Sequence, residues 1–278
     1  MQQGTLYRLA AFTRDPAGGN PAGVWVGDIL PEGAQMRRIA SGVGYSETAF
    51  IAPATGHERE IRYFSPEAEV TFCGHATIAS GVVLGRAGGE GVYRLQTTVG
   101  EVPVTVRTQD GRLETALVSV ATRHEAVPDA LLHEALAALD WQAGELATEI
   151  PPVRAYAGAW HLVLAAATRA RLASLDYDFE RLKALMLAEN LTTLQLIWRE
   201  SKTVFHARNP FPVGGVVEDP ATGAAAAALG GYLRDAGLVK APHSFVVRQG
   251  EDMGRPSLLH VEVPENGGIV VSGTAVDL

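Results

Sequence analysis

The stretch Glu218-Asp-Pro-Ala-Thr-Gly-Ala-Ala-Ala-Ala-Ala-Leu-Gly-Gly-Tyr-Leu233 decides how the rest of the chain is read. It predicts a helix entered through a polar, glycine-containing turn. Asp219 is a favoured N-cap type, Pro220 suits the first helical position, and Thr222 offers a second capping hydroxyl. The alanines Ala224 to Ala228 that follow have the best helix propensity, and side chains so small let other backbone pack close. A helix apolar all round is a buried one. Its first turn leaves backbone N–H groups without helical partners at the positive end of the dipole. That end is an anion site, and Gly223 lets a ligand approach it closely.

A fainter copy of this device stands earlier, in Phe72-Cys-Gly-His-Ala-Thr-Ile-Ala-Ser-Gly-Val-Val-Leu84. An offset of 149 residues carries Gly74, Gly81 and Leu84 onto Gly223, Gly230 and Leu233, and Ala76 and Ala79 onto Ala225 and Ala228. Each copy follows a proline-containing approach, Arg62-Tyr-Phe-Ser-Pro66 and Arg208-Asn-Pro-Phe-Pro212. An offset near half the chain length predicts a duplicated domain rather than a solenoid. The expected picture is two buried helices whose N-termini clamp a small anion across a cleft.

The 278 residues suit two domains of ordinary size, and with 47% hydrophobic and 19% charged residues the chain can bury a substantial core. A net charge of −8 argues against a nucleic-acid partner, which calls for a basic patch. The single cysteine excludes an intramolecular disulfide and fits a reducing compartment. The opening Met-Gln-Gln-Gly-Thr lacks the basic and apolar blocks of a signal peptide. No apolar run reaches the roughly 20 residues of a membrane helix. A cytoplasmic protein with no membrane partner is expected.

Along the chain, Leu6 to Phe12 and Ala22 to Val26 read as a first pair of strands around the turn-rich Asp15-Pro-Ala-Gly-Gly-Asn-Pro21. Pro31 to Ser41 has helical spacing, and Ser46-Glu-Thr-Ala-Phe-Ile51 starts a strand, so Glu47 sits at a strand entrance. Further strands are predicted at Glu60–Phe64, Val92–Thr98, Val102–Thr108 and Arg112–Val120. The break at Ala121 to Asp129 divides residues 1–120 from 121–267, with a last strand in 268–278 returning to the first domain. In the second half, helices at Ala130–Leu139 and Asp178–Glu189 alternate with strand runs. Runs of strands with few regular strand–helix alternations imply an α+β fold of mixed or antiparallel sheets curled around a helix.

Few residues here can carry chemistry. Glu47 is either a solvated carboxylate at a strand end or a general acid/base, a role an apolar cleft favours by raising a carboxyl pKa. His75, at the first helix start, is either a surface polar residue or a group at the mouth of the anion site. Asp219 serves equally as an N-cap, and Asn20 as a turn former. Cys73 is a small buried residue or a thiol activated by a helix N-terminus. The eight histidines show no metal-ligand spacing, and no dinucleotide, phosphate-loop or nucleophile-elbow motif occurs. No metal and no cofactor is therefore expected.

Four motifs, Gly19-Asn-Pro-Ala-Gly-Val24, Ser46-Glu-Thr-Ala-Phe50, Phe72-Cys-Gly-His-Ala-Thr77 and Glu218-Asp-Pro-Ala-Thr-Gly223, resemble in order and spacing the phenazine-biosynthesis PhzF-like proteins. The resemblance runs essentially end to end. It implies the diaminopimelate-epimerase-like fold, two similar domains each a β-barrel-like sheet around a central helix, with the active site between them. It also implies a homodimer and a cofactor-independent isomerase or epimerase of a small carboxylate-bearing metabolite. The family's proton-moving glutamate and its assisting histidine and aspartate fall on Glu47, His75 and Asp219. The carboxylate-holding turns fall on Gly74 and Gly223, and Asn20, Cys73 and Ala224 are expected to bind substrate with them. Ala224 departs from the phenazine enzyme's serine and removes one hydroxyl donor. Related epimerases use two thiols, and with Cys73 alone a two-thiol mechanism is excluded. An amino-acid dehydratase or racemase using Cys73 or Glu47, and a binding or scaffold protein without activity, are the alternatives.

Overall fold

A computed structural model of the chain describes residues 4–278. Two compact units are formed: the first runs to Val118 and takes in Ser272–Leu278, and the second is Ser119–Val271. To Val118 the chain forms β1 (Gly4–Ala11), β2 (Asn20–Gly27), α1 (Gly33–Val43), β3 (Glu47–Pro53), β4 (Glu58–Phe64), β5 (Glu69–Val70), α2 (Gly74–Gly88), β6 (Gly91–Thr97), β7 (Gly100–Gln109) and β8 (Arg112–Val118). It continues through β9 (Arg123–Ala126), α3 (Asp129–Leu139), β10 (Val153–Tyr156), β11 (Trp160–Ala165), α4 (Arg169–Ala173) and α5 (Phe179–Ala188). Next come β12 (Thr193–Arg199), β13 (Val204–Pro210), β14 (Glu218–Asp219), α6 (Gly223–Asp235), β15 (His243–Gln249) and β16 (Ser257–Val263). In β17 (Val270–Gly273) the chain passes back to the first unit, where β18 (Ala275–Asp277) ends it.

The two units share one pairing plan. In the first, β1 lies antiparallel to β18 and β2, β2 runs parallel to β3, and β3 antiparallel to β4. β4 then pairs antiparallel with β5 and parallel with β6, which continues antiparallel into β7 and β8. In the second, β10 lies antiparallel to β9 and β11, β11 parallel to β12, and β12 antiparallel to β13. β13 pairs antiparallel with β14 and parallel with β15, which continues antiparallel into β16. This is the α+β, diaminopimelate-epimerase-like architecture, each sheet curled around one helix.

Strand alternation decides which side chains meet that helix. In the first unit one face gives Trp25, Phe50 and Phe64 to Met36 and Ala40 of α1. In the second, Leu162, Leu164, Leu194 and Leu196 pack on Leu136, Leu139, Leu182 and Met186 of the outer helices. The opposite faces wrap α2 and α6, which are buried on all sides from His75 to Gly85 and from Ala225 to Leu233. Small residues there have a measurable cause. A Cβ on Gly81 would lie 2.3 Å from the Thr115 side chain, and one on Gly230 would lie 3.0 Å from Ile269. Gly81→Ala is therefore expected to destabilise the protein by about 1–3 kcal/mol through overpacking, despite alanine's better helix propensity. A urea midpoint equal to or above wild type would show that β8 yields without cost.

The central helix starts differ from the N-cap expectation. α6 begins at Gly223 with Thr222 as its N-cap residue, and no side chain caps it. Asp219 and Pro220 precede the helix because Glu218–Asp219 pairs with β13, Asn209 opposite Asp219, which holds this segment extended. The 149-residue offset persists, since α2 begins at Gly74 after Cys73. The break Ala121–Asp129 contains strand β9, whose four residues are all exposed and so show no apolar alternation.

Candidate active site

In the first unit, Glu47 opens β3 directly opposite Ala22 of β2, two residues along from Asn20, which is buried. Alternation turns Glu47 to the α2 side of the sheet, and α2 starts beside it with Cys73, Gly74 and His75. The Glu47 carboxylate Oε2 lies 3.4 Å from His75 Nε2. Cys73 Sγ donates toward Glu47 Oε2 at 3.6 Å and lies 3.4 Å from His75 Nδ1 and 3.8 Å from His75 Nε2. Ser46 Oγ reaches His75 Nε2 at 3.5 Å. Glu47 keeps 21% of its side chain exposed against 9% for His75, so the carboxylate is the group a small molecule reaches first.

The first turn of α2 is held from behind. The Thr77 hydroxyl donates to the Cys73 carbonyl at 2.7 Å, which leaves its oxygen to accept from the Tyr63 hydroxyl, also at 2.7 Å. Burial raises the Tyr63 phenol pKa well above its ordinary value, so this hydroxyl stays a donor. Thr77 N–H is the first to find a helical carbonyl, that of Cys73. The N–H groups of Gly74, His75 and Ala76 therefore have no helical acceptor and carry the positive end of the dipole. A Cβ on Gly74 would meet nothing within 4 Å, and its φ is not left-handed. Neither packing nor backbone conformation asks for glycine at this point; open approach to the helix end does.

The second unit holds Asp219, Gly223 and Ala224, each half-buried at the entrance of α6. Thr222 Oγ1 donates to Asp219 Oδ2 at 2.5 Å instead of capping the helix. Buried Gln249 fixes this loop: its Nε2 donates to the Asp219 carbonyl at 2.7 Å and to Thr222 Oγ1 at 3.0 Å, and its Oε1 accepts from Thr222 N–H at 3.1 Å. Sequence reading missed Gln249 because the strand before Gly250 runs one residue past the apolar alternation that marks it. Gln249→Leu is expected to cost about 1–3 kcal/mol by stranding the Thr222 N–H. Chemical unfolding checks this, and a loss below about 0.5 kcal/mol would mean the loop is held by other contacts.

Equivalent registers in the two units carry unlike chemistry. Glu47 opens β3 opposite Ala22, whereas Thr193 opens β12 opposite His161. His161 Nδ1 lies 2.8 Å from Thr193 Oγ1, which also accepts from Asn209 Nδ2 at 3.1 Å. Complete burial pushes the His161 pKa down to about 3, so that network is neutral at ordinary pH. Cys73 and His75 correspond in turn to Thr222 and Ala224. Glu47, Cys73 and His75 are thus answered by Thr193, Thr222 and Ala224, none of which has an acid–base side chain. A separate hollow of about 700 Å³ in the first unit, lined by residues including Thr5, Asp28 and Arg59, lies at the other end of β2. It brings together no acid–base pair comparable with Glu47 and His75. No helix among the described residues is long and apolar enough to cross a membrane.

Comparison with known proteins places the chain in a family. The family model described as phenazine biosynthesis-like protein (PhzC-PhzF) matches residues 9–278. The chain is 30% identical over 291 residues to the uncharacterised isomerase YfhB of Bacillus subtilis (strain 168), covering 99% of this chain and 97% of that protein. It is 28% identical to the trans-2,3-dihydro-3-hydroxyanthranilate isomerase of Pseudomonas aeruginosa, covering 96% and 97% of the two chains. The crystal structure of the Bacillus anthracis phenazine biosynthesis protein of the PhzF family superposes with a TM-score of 0.86 at 24% identity, covering 98% of this chain and 96% of that one. The chain belongs to the PhzC-PhzF family of phenazine biosynthesis-like proteins, as one of its isomerases.

Proposed function

We propose that the chain isomerises a small carboxylate-bearing metabolite by cofactor-independent proton transfer, with Glu47 as the acid–base group. The observation that carries this is the Glu47 carboxylate, reachable from solvent, with His75 Nε2 at 3.4 Å and the unpaired N–H groups of the α2 start beside it. A substrate carboxylate bound at the N-terminus of α2 leaves an activated C–H facing Glu47. Glu47 takes that proton as the electron pair moves into the adjoining π system, then returns it to a different carbon. Composition is unchanged, and Glu47 ends as it began. His75 orients the carboxylate of Glu47 and helps hold the proton between the two steps. Asp219, tied to Thr222 and Gln249, assists in the role the family resemblance gives it.

The unlike chemistry of the two units favours this one-base scheme over a two-base racemase. At the registers of Glu47, Cys73 and His75 the second unit offers Thr193, Thr222 and Ala224, none of which has an acid–base side chain, so Glu47 has no counterpart there. The relative acting on trans-2,3-dihydro-3-hydroxyanthranilate makes unsaturated cyclic amino carboxylates of that kind the first compounds to assay. The proximity of Cys73 Sγ to Glu47, at 3.6 Å, supports a second reading in which the thiolate is the base and Glu47 its partner. Turnover of Glu47→Gln beside Cys73→Ala separates the two. Loss in the former with retention in the latter supports Glu47, and the reverse pattern supports the thiol.

A further inference from the structure

We infer that Glu47, Cys73 and His75 form a binding site for one borderline-soft divalent cation of the Zn²⁺ class. Their ligand atoms all lie within 4.8 Å of one another, and each is of a type zinc accepts. The edges of the triangle are more telling than its size. Glu47 Oε2 to Cys73 Sγ is 3.6 Å, Glu47 Oε2 to His75 Nε2 is 3.4 Å, and Cys73 Sγ to His75 Nε2 is 3.8 Å. Bonds of about 2.3 Å to sulfur, 2.0–2.1 Å to nitrogen and 2.0–2.2 Å to oxygen around a tetrahedral ion place the ligand atoms about 3.4–3.6 Å apart. Two edges coincide with that face of a tetrahedron, and the third needs a small side-chain rotation.

Three protein ligands leave the fourth position of a tetrahedral ion to water, which describes an exchangeable site rather than a closed structural one. A thiolate and an imidazole select zinc over magnesium and calcium, which prefer all-oxygen sites. The ligands were hidden in the sequence because Glu47 stands on β3 and the other two at the start of α2. An ion there takes the carboxylate lone pair that accepts the substrate proton. Zinc is therefore an inhibitor competing with substrate, a consequence that rests on the role proposed for Glu47.

The binding itself is tested without turnover. The full chain, stripped with a chelator and kept reduced with a phosphine, is titrated with Zn²⁺ by calorimetry and with Co²⁺ by absorption. One ion per chain is expected, with a thiolate-to-cobalt charge-transfer band. Glu47→Gln and His75→Asn keep the thiol, and each is expected to weaken binding by more than the ~10–100-fold typical of outer-shell partners. Their melting temperatures without metal show whether they are folded, and the near-isosteric Glu47→Gln guards against an uninformative collapse. Binding that is unchanged in both folded variants would overturn the site, since the ion would then be held by the thiol alone or elsewhere. Absence of stoichiometric binding would overturn it equally. Either failure leaves the isomerase reading intact, whereas stoichiometric binding without inhibition of turnover would contradict the role of Glu47 and not the site.

Discussion

Replacing Glu47 by glutamine is expected to reduce turnover by about 10⁴-fold, the upper end of what a single general acid–base group contributes. Glutamine keeps the size of the side chain and can still meet His75 Nε2 and Cys73 Sγ, the neighbours now at 3.4 and 3.6 Å. It cannot accept a proton from carbon. Because one group both removes and returns the proton, its loss affects both steps. Substrate affinity is expected to change little, since the anchor proposed for the carboxylate is the set of backbone N–H groups at the start of α2. His75→Ala and Asp219→Ala should reduce turnover less, because neither takes the carbon-bound proton. The measurement is kcat and ligand affinity side by side. A parallel loss of affinity would indicate that Glu47 binds substrate rather than transforming it.

Arg208→Met is expected to cost about 3–5 kcal/mol of stability, the usual result of leaving a buried charge without its partner. Arg208 clasps Glu218 with Nε at 3.0 Å and Nη2 at 2.6 Å, and only 10% and 3% of the two side chains are exposed. Its Nη1 also donates to the Ala173 carbonyl at 2.7 Å. The duplication supplies an internal control. In the first unit Arg62 clasps Glu69 in the same two-pronged way, at 2.7 and 2.6 Å, with about a third of each side chain exposed. The hydrogen bonds from Arg62 hold the Glu69 carboxyl below the usual carboxylate range, yet solvent screening limits such a pair to about 0–1 kcal/mol. Arg62→Met should therefore lower the unfolding midpoint far less than Arg208→Met. Equal losses in urea would show that burial does not set the difference.

The duplication and the fold class were legible because glycine and alanine recur with little freedom where a helix is packed on all sides. Gly81 and Gly230 mark where strands touch α2 and α6, and Gly74 and Gly223 mark where those helices begin. Two-residue strands such as Glu69–Val70 and Glu218–Asp219 are too short for any period, so the pairing that makes Asp219 extended was invisible. An aspartate followed by proline reads as a helix start, and the tertiary pairing with Asn209 overrides that local preference. β9 escaped for another reason: all its side chains are exposed, so its backbone pairing with β10 leaves no hydrophobic trace. At the site, Glu47 and His75 stood out by residue type and position. Their approach to within hydrogen-bonding range of Cys73 depends on β3 lying beside the start of α2, which no local pattern encodes. Gln249, whose three hydrogen bonds hold the Asp219 loop, carries no motif of its own.

The central claim is that Glu47 carries a proton from one carbon of the substrate to another. Its most direct test is isomerisation in deuterium oxide, starting with trans-2,3-dihydro-3-hydroxyanthranilate and related small carboxylates, followed by mass spectrometry and NMR of the product. With wild type and with Cys73→Ala, the product should carry deuterium at the newly protonated carbon to the extent that the Glu47 proton exchanges with solvent. Glu47→Gln should form no product above background. Product formed by Glu47→Gln at the wild-type rate, with Cys73→Ala inactive, would contradict the account and assign the proton transfer to the thiol.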